Sequence, residues 1–265
     1  MKIENYQIGC DNELFLKDKI TGKYYTAEGI IKGTKANPYK FDPLNDYFAT
    51  SLDCVLAEYN IPPAKNPEEL WASIEKCHQY IKSLLPENMI ISCDPAARLD
   101  EDQLITPTSI IFGCETSLSC YSEEEIRPIN TGDNLRSAGS HFHSGYDNPN
   151  EEINREAVRA MDLFIGVPSI LIEPENERKK VGYGCAGNYR NKKYGFEYRS
   201  LSAYFTSEKR LVEWVFNNSK KAIQFVNDNN VKDIIDLGHV IQSCINNENK
   251  YTAELLVKEF NLELV

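Results

Sequence analysis

Ser137-Ala-Gly-Ser-His141-Phe-His143-Ser-Gly145 holds two of the four histidines in the chain, two residues apart and bounded by glycines. Side chains alternate between the faces of a β-strand, so both imidazoles share one face and Phe142 takes the other. An imidazole pair of this kind is a candidate metal or phosphate site. Taken alone, His-x-His is more often ordinary polarity on a half-exposed strand, so its meaning depends on what the neighbouring strands carry.

The same two-residue spacing recurs on three other strand-like segments. Residues 6–31 alternate like a β-meander with a turn at Thr21-Gly22, and its first arm places Asp11 and Glu13 on one face amid apolar residues. A buried strand rarely tolerates two unpaired acids. Asp53 to Pro63 reads as a strand from its Val, Tyr and Ile positions and its double proline, and it pairs Glu58 with Asn60. Tyr194-Gly-Phe-Glu197-Tyr-Arg199 pairs an acid with a guanidinium. Together the four pairs predict one sheet face carrying acids, imidazoles and a guanidinium. Carboxylates with an imidazole suit hard cations such as magnesium or manganese, and nearby arginines suit phosphoryl chemistry.

Between these segments the chain reads as follows. Gly33 to Pro38 is a loop whose Gly-Thr-Lys35 tip could hold a phosphate or carboxylate. Asn66-Pro67-Glu68-Glu69 opens a helix that runs to Leu85 and stops at Pro86. Cys77-His78 on that helix reads as packing plus surface. Ile90 to Asp94 and Ser109 to Phe112 read as short strands, 116–134 as a polar loop, and 151–165 as an amphipathic helix followed by apolar Pro168 to Ile172. Helices are expected at 207–229, 231–245 and 251–260. No internal repeat or linker divides the chain, so 1–265 is expected to be one domain.

The 265 residues carry a net charge of −11, which disfavours a grip on nucleic-acid phosphates and favours small-molecule or protein partners. The N-terminus lacks the apolar run of a signal peptide, and no window is long enough to span a membrane. Eight cysteines stand singly with no Cys-x-x-Cys, which gives no zinc ribbon and makes reduced thiols in a cytoplasm the expectation. Three motif matches fail their context. Gly182-Tyr-Gly184-Cys-Ala-Gly187 fits G-x-G-x-x-G, but a polar stretch rather than an apolar helix follows. His141-x-His143 lacks the further strands of a cupin and the alternating barrel of an amidohydrolase. There is no Walker motif.

The collinear set Ile8-Gly-Cys-Asp11-Asn-Glu13, Gly33-Thr-Lys35-Ala-Asn-Pro38, Asp53 to Ala64, Phe112-Gly-Cys-Glu115, Arg136 to Gly145 and Tyr183 to Arg199 resembles the phage-type carboxylate–amine ligases (amidoligases) of the glutamine synthetase and glutamate–cysteine ligase superfamily. The resemblance covers about residues 7–205 and leaves 206–265 as a C-terminal helical extension. It implies an α+β fold in which a curved antiparallel β-sheet, backed by helices, forms a funnel where ATP and two or more Mg2+ (or Mn2+) meet a carboxylate. By similarity, Asp11, Glu13, Asp53, Glu58, His141 and Glu197 are metal ligands. His143, Arg190 and Arg199 contact phosphates, and Lys35 and Arg136 contact phosphate or substrate carboxylate. Glu115 stands where aspartate is expected after Phe-Gly-Cys. It or Asp94 is a candidate to deprotonate the amine. Ser140 replaces a second glycine before the histidine pair.

The implied activity is an ATP-dependent carbon–nitrogen ligase acting through an acyl phosphate, on a small-molecule or peptide carboxylate and an amine, in a cytoplasm (the host's, if phage-encoded). Two alternatives stay open: a phosphotransferase of the same fold, and an inactive member serving as a binding or inhibitor protein. A homo-oligomer is also open.

Overall fold

The computed structural model describes residues 2–111, 116–122, 125–126 and 133–265. The chain opens with the long strand β1 (Gln7–Asp18), which is extended by β2 (Tyr24–Tyr25). A hairpin of β3 (Gly33–Thr34) and β4 (Asn37–Lys40) follows, then a second hairpin of β5 (Ala49–Asp53) and β6 (Leu56–Asn60). Three differences from the sequence reading arise here. The arm after Tyr25 turns rather than continuing as a strand. The Gly33–Pro38 loop is a two-stranded hairpin. Asp53 and Glu58 stand on adjacent strands, because Cys54 takes a left-handed φ of 56° and turns the chain between them.

Helix α1 (Pro67–Leu84) starts where expected. Asn66 accepts a hydrogen bond from Glu69 N at 2.9 Å, and the Glu69 carboxylate accepts one from Lys65 N. Its apolar stripe, Leu70, Ile74, Cys77 and Ile81, is buried, and so is His78. His78 is therefore core rather than surface: Tyr59 Oη lies 3.1 Å from its Nε2.

Strand β7 (Met89–Ser92) pairs with the far end of β1, and β8 (Ala96–Arg98) follows. The expected strand at Ser109 is a turn. Thr106 and Ser109 each bond the other's backbone N–H through their hydroxyls at 3.0 Å, which closes the chain on itself; Phe112 lies outside the described residues. Short strands β9 (Ser117–Ser119) and β10 (Glu125–Ile126) come from the stretch read as a polar loop. Strand β11 (Leu135–Ser137) pairs with β8, and β12 (Ser140–Gly145) carries the histidine pair.

Helix α2 (Glu151–Met161) is capped by Asn150 and runs into a π-turn over Asp162–Gly166, then α3 (Val167–Ile172). The helix therefore reaches beyond 165. The widened turn precedes Pro168, which has no N–H for the ladder, and the Tyr198 hydroxyl donates to Asp162 Oδ1 at 2.8 Å there. Hairpin β13 (Asn188–Lys192) and β14 (Gly195–Tyr198) precedes four helices: α4 (Lys209–Asn227), α5 (Lys232–Ile235), α6 (Gly238–Asn246) and α7 (Lys250–Glu259).

The result is a mixed α/β fold around a large, almost wholly antiparallel sheet, with path β10-β9-β13-β14-β12-β1-β6-β5-β3-β4. β1 and β12 are central, and every neighbour along β9–β5 is antiparallel. One face of these strands presents Cys10, Leu14, Ala57, Tyr59, Phe142, Tyr189, Phe196 and Tyr198, all buried in one core with residues of α1, α2 and α4. The opposite face carries the acids and imidazoles. Among the described residues no helix is long and apolar enough to cross a membrane.

Burial pushes the His78 imidazole down to about 4, from an ordinary value near 6.5. The folded state holds it neutral, whereas the unfolded chain takes up the proton as the pH falls through 6.5. Its contribution is therefore complete above pH 6.5 and is lost between about 6.5 and 4, at roughly 1.4 kcal/mol per pH unit. Urea-denaturation midpoints measured across that window should fall less steeply for His78→Gln than for the wild type.

Candidate active site

The register of the sheet sets the polar pairs side by side. Asp11 stands opposite His141 on one flank and Asn60 on the other, Glu13 opposite Glu58, His143 opposite Glu197, and Glu197 opposite Arg190. Paired residues of antiparallel strands project to the same face. All four sequence pairs therefore lie on one surface, and Asp53 joins it through β5, where Ser51 faces Glu58.

Among the described residues, Asp11, His143 and Glu197 come closest to a metal-binding arrangement: each offers a ligand atom, and these atoms lie within 4.8 Å of one another. His143 Nδ1 is engaged by the Tyr194 hydroxyl, which turns Nε2 toward Asp11 Oδ2 at 3.2 Å, off the line of a hydrogen bond. His141 is placed differently. Its Nδ1 is 3.0 Å from Asp11 Oδ1, and its Nε2 is 3.0 Å from the Tyr183 hydroxyl, so both nitrogens are taken. Tyr183 in turn reaches Glu13 Oε2 at 2.9 Å, and Gly139 N donates to that oxygen at 2.6 Å. A Cβ at position 139 would come within 2.8 Å of both His141 Nε2 and Tyr183 Oη, so any side chain here would have to displace one of these rings.

Glu197 is fully buried and is surrounded by cations. Arg199 bonds its Oε1, Arg190 Nη1 lies 3.5 Å from the same oxygen, and Lys192 Nζ sits 2.7 Å from Oε2. A second acid group, Glu13, Asp53 and Glu58, lies across β1. Lys35, at the tip of the β3–β4 hairpin, reaches into it at 2.6 Å from Asp53 and 3.8 Å from Glu58.

The charges respond to this crowding. Burial and Asp53 push the Glu13 carboxyl up to about 8, and burial with Asp11 pushes Glu58 well above its usual range. Burial and Asp11 press Glu197 upward too, but Arg199, His141 and His143 outweigh them and hold it at about 2. Burial opposes ionisation of Asp11 as well, yet His143 and His141 keep it well below the usual carboxylate value. The two imidazoles diverge. Burial and Arg199 push His141 down to about 4, whereas Asp11 raises His143 against its burial.

Two further candidates, Arg136 from the resemblance and Asp94 as a base, make contacts of other kinds. The Arg136 guanidinium donates to the backbone carbonyls of Ser109, Asp133 and Leu135, which fastens β11 to the 106–111 turn. Asp94 is held by Tyr24, Lys17 and Ser92. Glu115 lies outside the described residues. Three site residues escaped the sequence reading: Lys192, Tyr183 and Tyr194. Each belongs to the Gly/Tyr/Arg-rich stretch 183–199, but which aromatic or lysine of that run turns inward depends on hairpin geometry.

Beside the Asp11–His143–Glu197 group opens a cavity of about 610 Å³. Gly9 and Gly145, flanking Asp11 and His143 on their strands, leave a bare backbone floor, and Tyr47, Tyr194, Pro38 and Pro63 are among its walls.

Residues 132–232 match the family model described as Phage phiEco32-like COOH.NH2 ligase-type 2. The resemblance to the carboxylate–amine ligase family is borne out over that span, which includes His141, His143, Arg190, Lys192, Glu197 and Arg199. Among solved structures the chain is similar to a bifunctional glutathione synthetase from Pasteurella multocida, with 10% identity, a TM-score of 0.44, and 97% of this chain and 49% of that one covered. The chain thus spans about half the length of that protein. No curated protein matches.

Removing the Glu197 charge leaves Arg199, Arg190 and Lys192 facing one another. Glu197→Gln should therefore destabilise the metal-free protein by ~3 kcal/mol, read from denaturant unfolding in the presence of a chelator.

Proposed function

We propose that the protein is an ATP- and divalent-cation-dependent carboxylate–amine ligase that forms an amide through an acyl phosphate. The observation that carries this reading is the convergence of Asp11, His143 and Glu197 with Arg190, Arg199 and Lys192 on one sheet face, next to a cavity in the size range of ligand pockets. The family match over residues 132–232 supports the reaction class.

The donors fit hard cations. They are carboxylate oxygens with one imidazole nitrogen, and His143 Nε2 and Glu58 Oε2 are buried without a hydrogen bond. Asp11, His143 and Glu197 would hold one cation, and Glu13, Asp53 and Glu58 a second. This assignment exchanges the roles that the resemblance gives the histidines: His141 orients Asp11 and Tyr183, while His143 ligates. When bound, such cations neutralise the phosphate charge that develops during transfer.

In this reading the sheet is the funnel-lining sheet of a glutamine synthetase-like catalytic domain formed by residues 1–265. The cavity takes the nucleoside, and its bare glycine floor accepts a flat base between tyrosines. The substrate carboxylate attacks the γ-phosphoryl group, and Arg190 and Arg199 stabilise the charge on the transferring group. The amine then displaces phosphate from the acyl phosphate, and ADP, phosphate and the amide leave. Dependence on ATP places the reaction in a cytoplasm.

The test is phosphate release from ATP and Mg2+ across a panel of amino acids and amines, with product mass. Amine-dependent release with a condensed product is expected, and Glu197→Ala should lower it by at least about a hundredfold. A phosphorylated product formed without amine would convert the assignment to a phosphotransferase. Absence of both ATP binding and turnover with every amine would overturn it.

A further inference from the structure

Two lysines stand where cations belong. Lys35 Nζ is 2.6 Å from Asp53 and 3.8 Å from Glu58, and Lys192 Nζ is 2.7 Å from Glu197. Each reaches one of the two acid groups assigned above to a divalent cation, and each comes from a hairpin on a different side of the central strands: β3–β4 for Lys35, β13–β14 for Lys192. Their side chains are 46% and 31% exposed while the carboxylates they reach are 12% exposed or less. The ammonium groups are thus on flexible stems that open to solvent, while the acids are fixed in the sheet.

The geometry does not allow an ammonium and a dication to share one carboxylate oxygen comfortably. A hard cation binds a carboxylate at about 2.0–2.6 Å. An ammonium hydrogen-bonded to the same oxygen would then lie only a few ångströms from a double positive charge in a partly dry site, where repulsion is screened weakly. Glu197 already carries Arg199, which is buried, and Arg190, whose Nε also donates to Thr116 O, so Lys192, on an exposed stem, is the cation best able to leave.

We propose that Lys35 and Lys192 are built-in counter-ions. Their ammonium groups occupy the two cation positions in the metal-free protein, and on metal loading they swing outward to contact the oxygens of the bound phosphate or carboxylate. The proposal rests on the metal-dependent reading above and adds two working states of the site. In the first, the lysines keep clustered carboxylates from repelling one another. In the second, the same charges serve the anionic substrates that accompany the metals. Lys192 thereby becomes a substrate-contacting residue that no motif marks.

The signature is a pair of opposite effects. Removing a competitor tightens metal binding, whereas removing a substrate contact weakens turnover. Mn2+ affinity measured by electron paramagnetic resonance on the whole chain without nucleotide should tighten by about threefold or more in Lys192→Met and Lys35→Met. The upward shift of melting temperature caused by Mg2+ should be larger than in the wild type. With ATP present, the same variants should show a raised KM for ATP or a kcat lowered by about tenfold or more. Lys192→Gln and Lys35→Gln serve as second variants, and circular dichroism confirms that each is folded.

Mn2+ binding by the wild type with unchanged or weakened binding in the folded variants would overturn the counter-ion assignment alone. No Mn2+ binding by the wild type at any accessible concentration would overturn the metal-dependent reading itself, and this inference with it.

Discussion

Five carboxylates on one buried sheet face are the constraint on which the rest of the structure depends. Asp11, Glu13, Asp53, Glu58 and Glu197 cannot all be desolvated and charged unless positive groups answer them. The protein answers from three directions: guanidinium groups from β13 and the end of β14, lysines from two hairpins, and the raised imidazole of His143 from β12, while His141 serves as a neutral hydrogen-bond partner. Where the answer is complete, at Glu197 and Asp11, the acids stay ionised. Where it is incomplete, at Glu13 and Glu58, burial and neighbouring acids push the carboxyls toward the protonated form.

Holding such a face in place requires an unyielding back. The apolar face of the same strands is packed against α1, α2 and α4, with Tyr59, Phe142, Phe196 and Tyr198 among the most deeply buried side chains. Alternation of the pleat couples the two faces, since Tyr59, Phe142, Phe196 and Tyr198 each adjoin an acid or imidazole in sequence. A register slip of one residue would bury the acids in the apolar core and expose the aromatics, so packing enforces the geometry of the site. Around the acids, polar links complete the support. Tyr183 ties His141 to Glu13, Tyr194 fixes His143, and Gly139 brings a backbone N–H against Glu13 where a side chain would not fit.

Much of this was legible in the sequence because strand alternation is a local property. The four pairs with two-residue spacing are same-face pairs whatever they lie beside, and the capped helix starting at Asn66 needs only its own residues to declare itself. The differences fall where side-chain hydrogen bonds, local or distant, override the strand and surface patterns. Ser109 was read as strand from its apolar neighbours, yet reciprocal hydroxyl bonds with Thr106 make a turn. His78 was read as partly surface, yet Tyr59 covers it. Arg136 is a substrate contact only by its place in the motif, and what the structure adds is that its guanidinium donates to three backbone carbonyls.

The sequence by itself determined which side chains share a face, because the pleat repeats every two residues along any strand. Only the tertiary structure decided which strands became neighbours and in what register, because that depends on long-range pairing that no local period records. Register set Asp11 beside His141 and Glu197 beside His143 and Arg190. Side-chain bonding across those neighbours engaged both nitrogens of His141 and left His143 Nε2 outside any hydrogen bond, and hairpin geometry brought Lys35 and Lys192 in from either side.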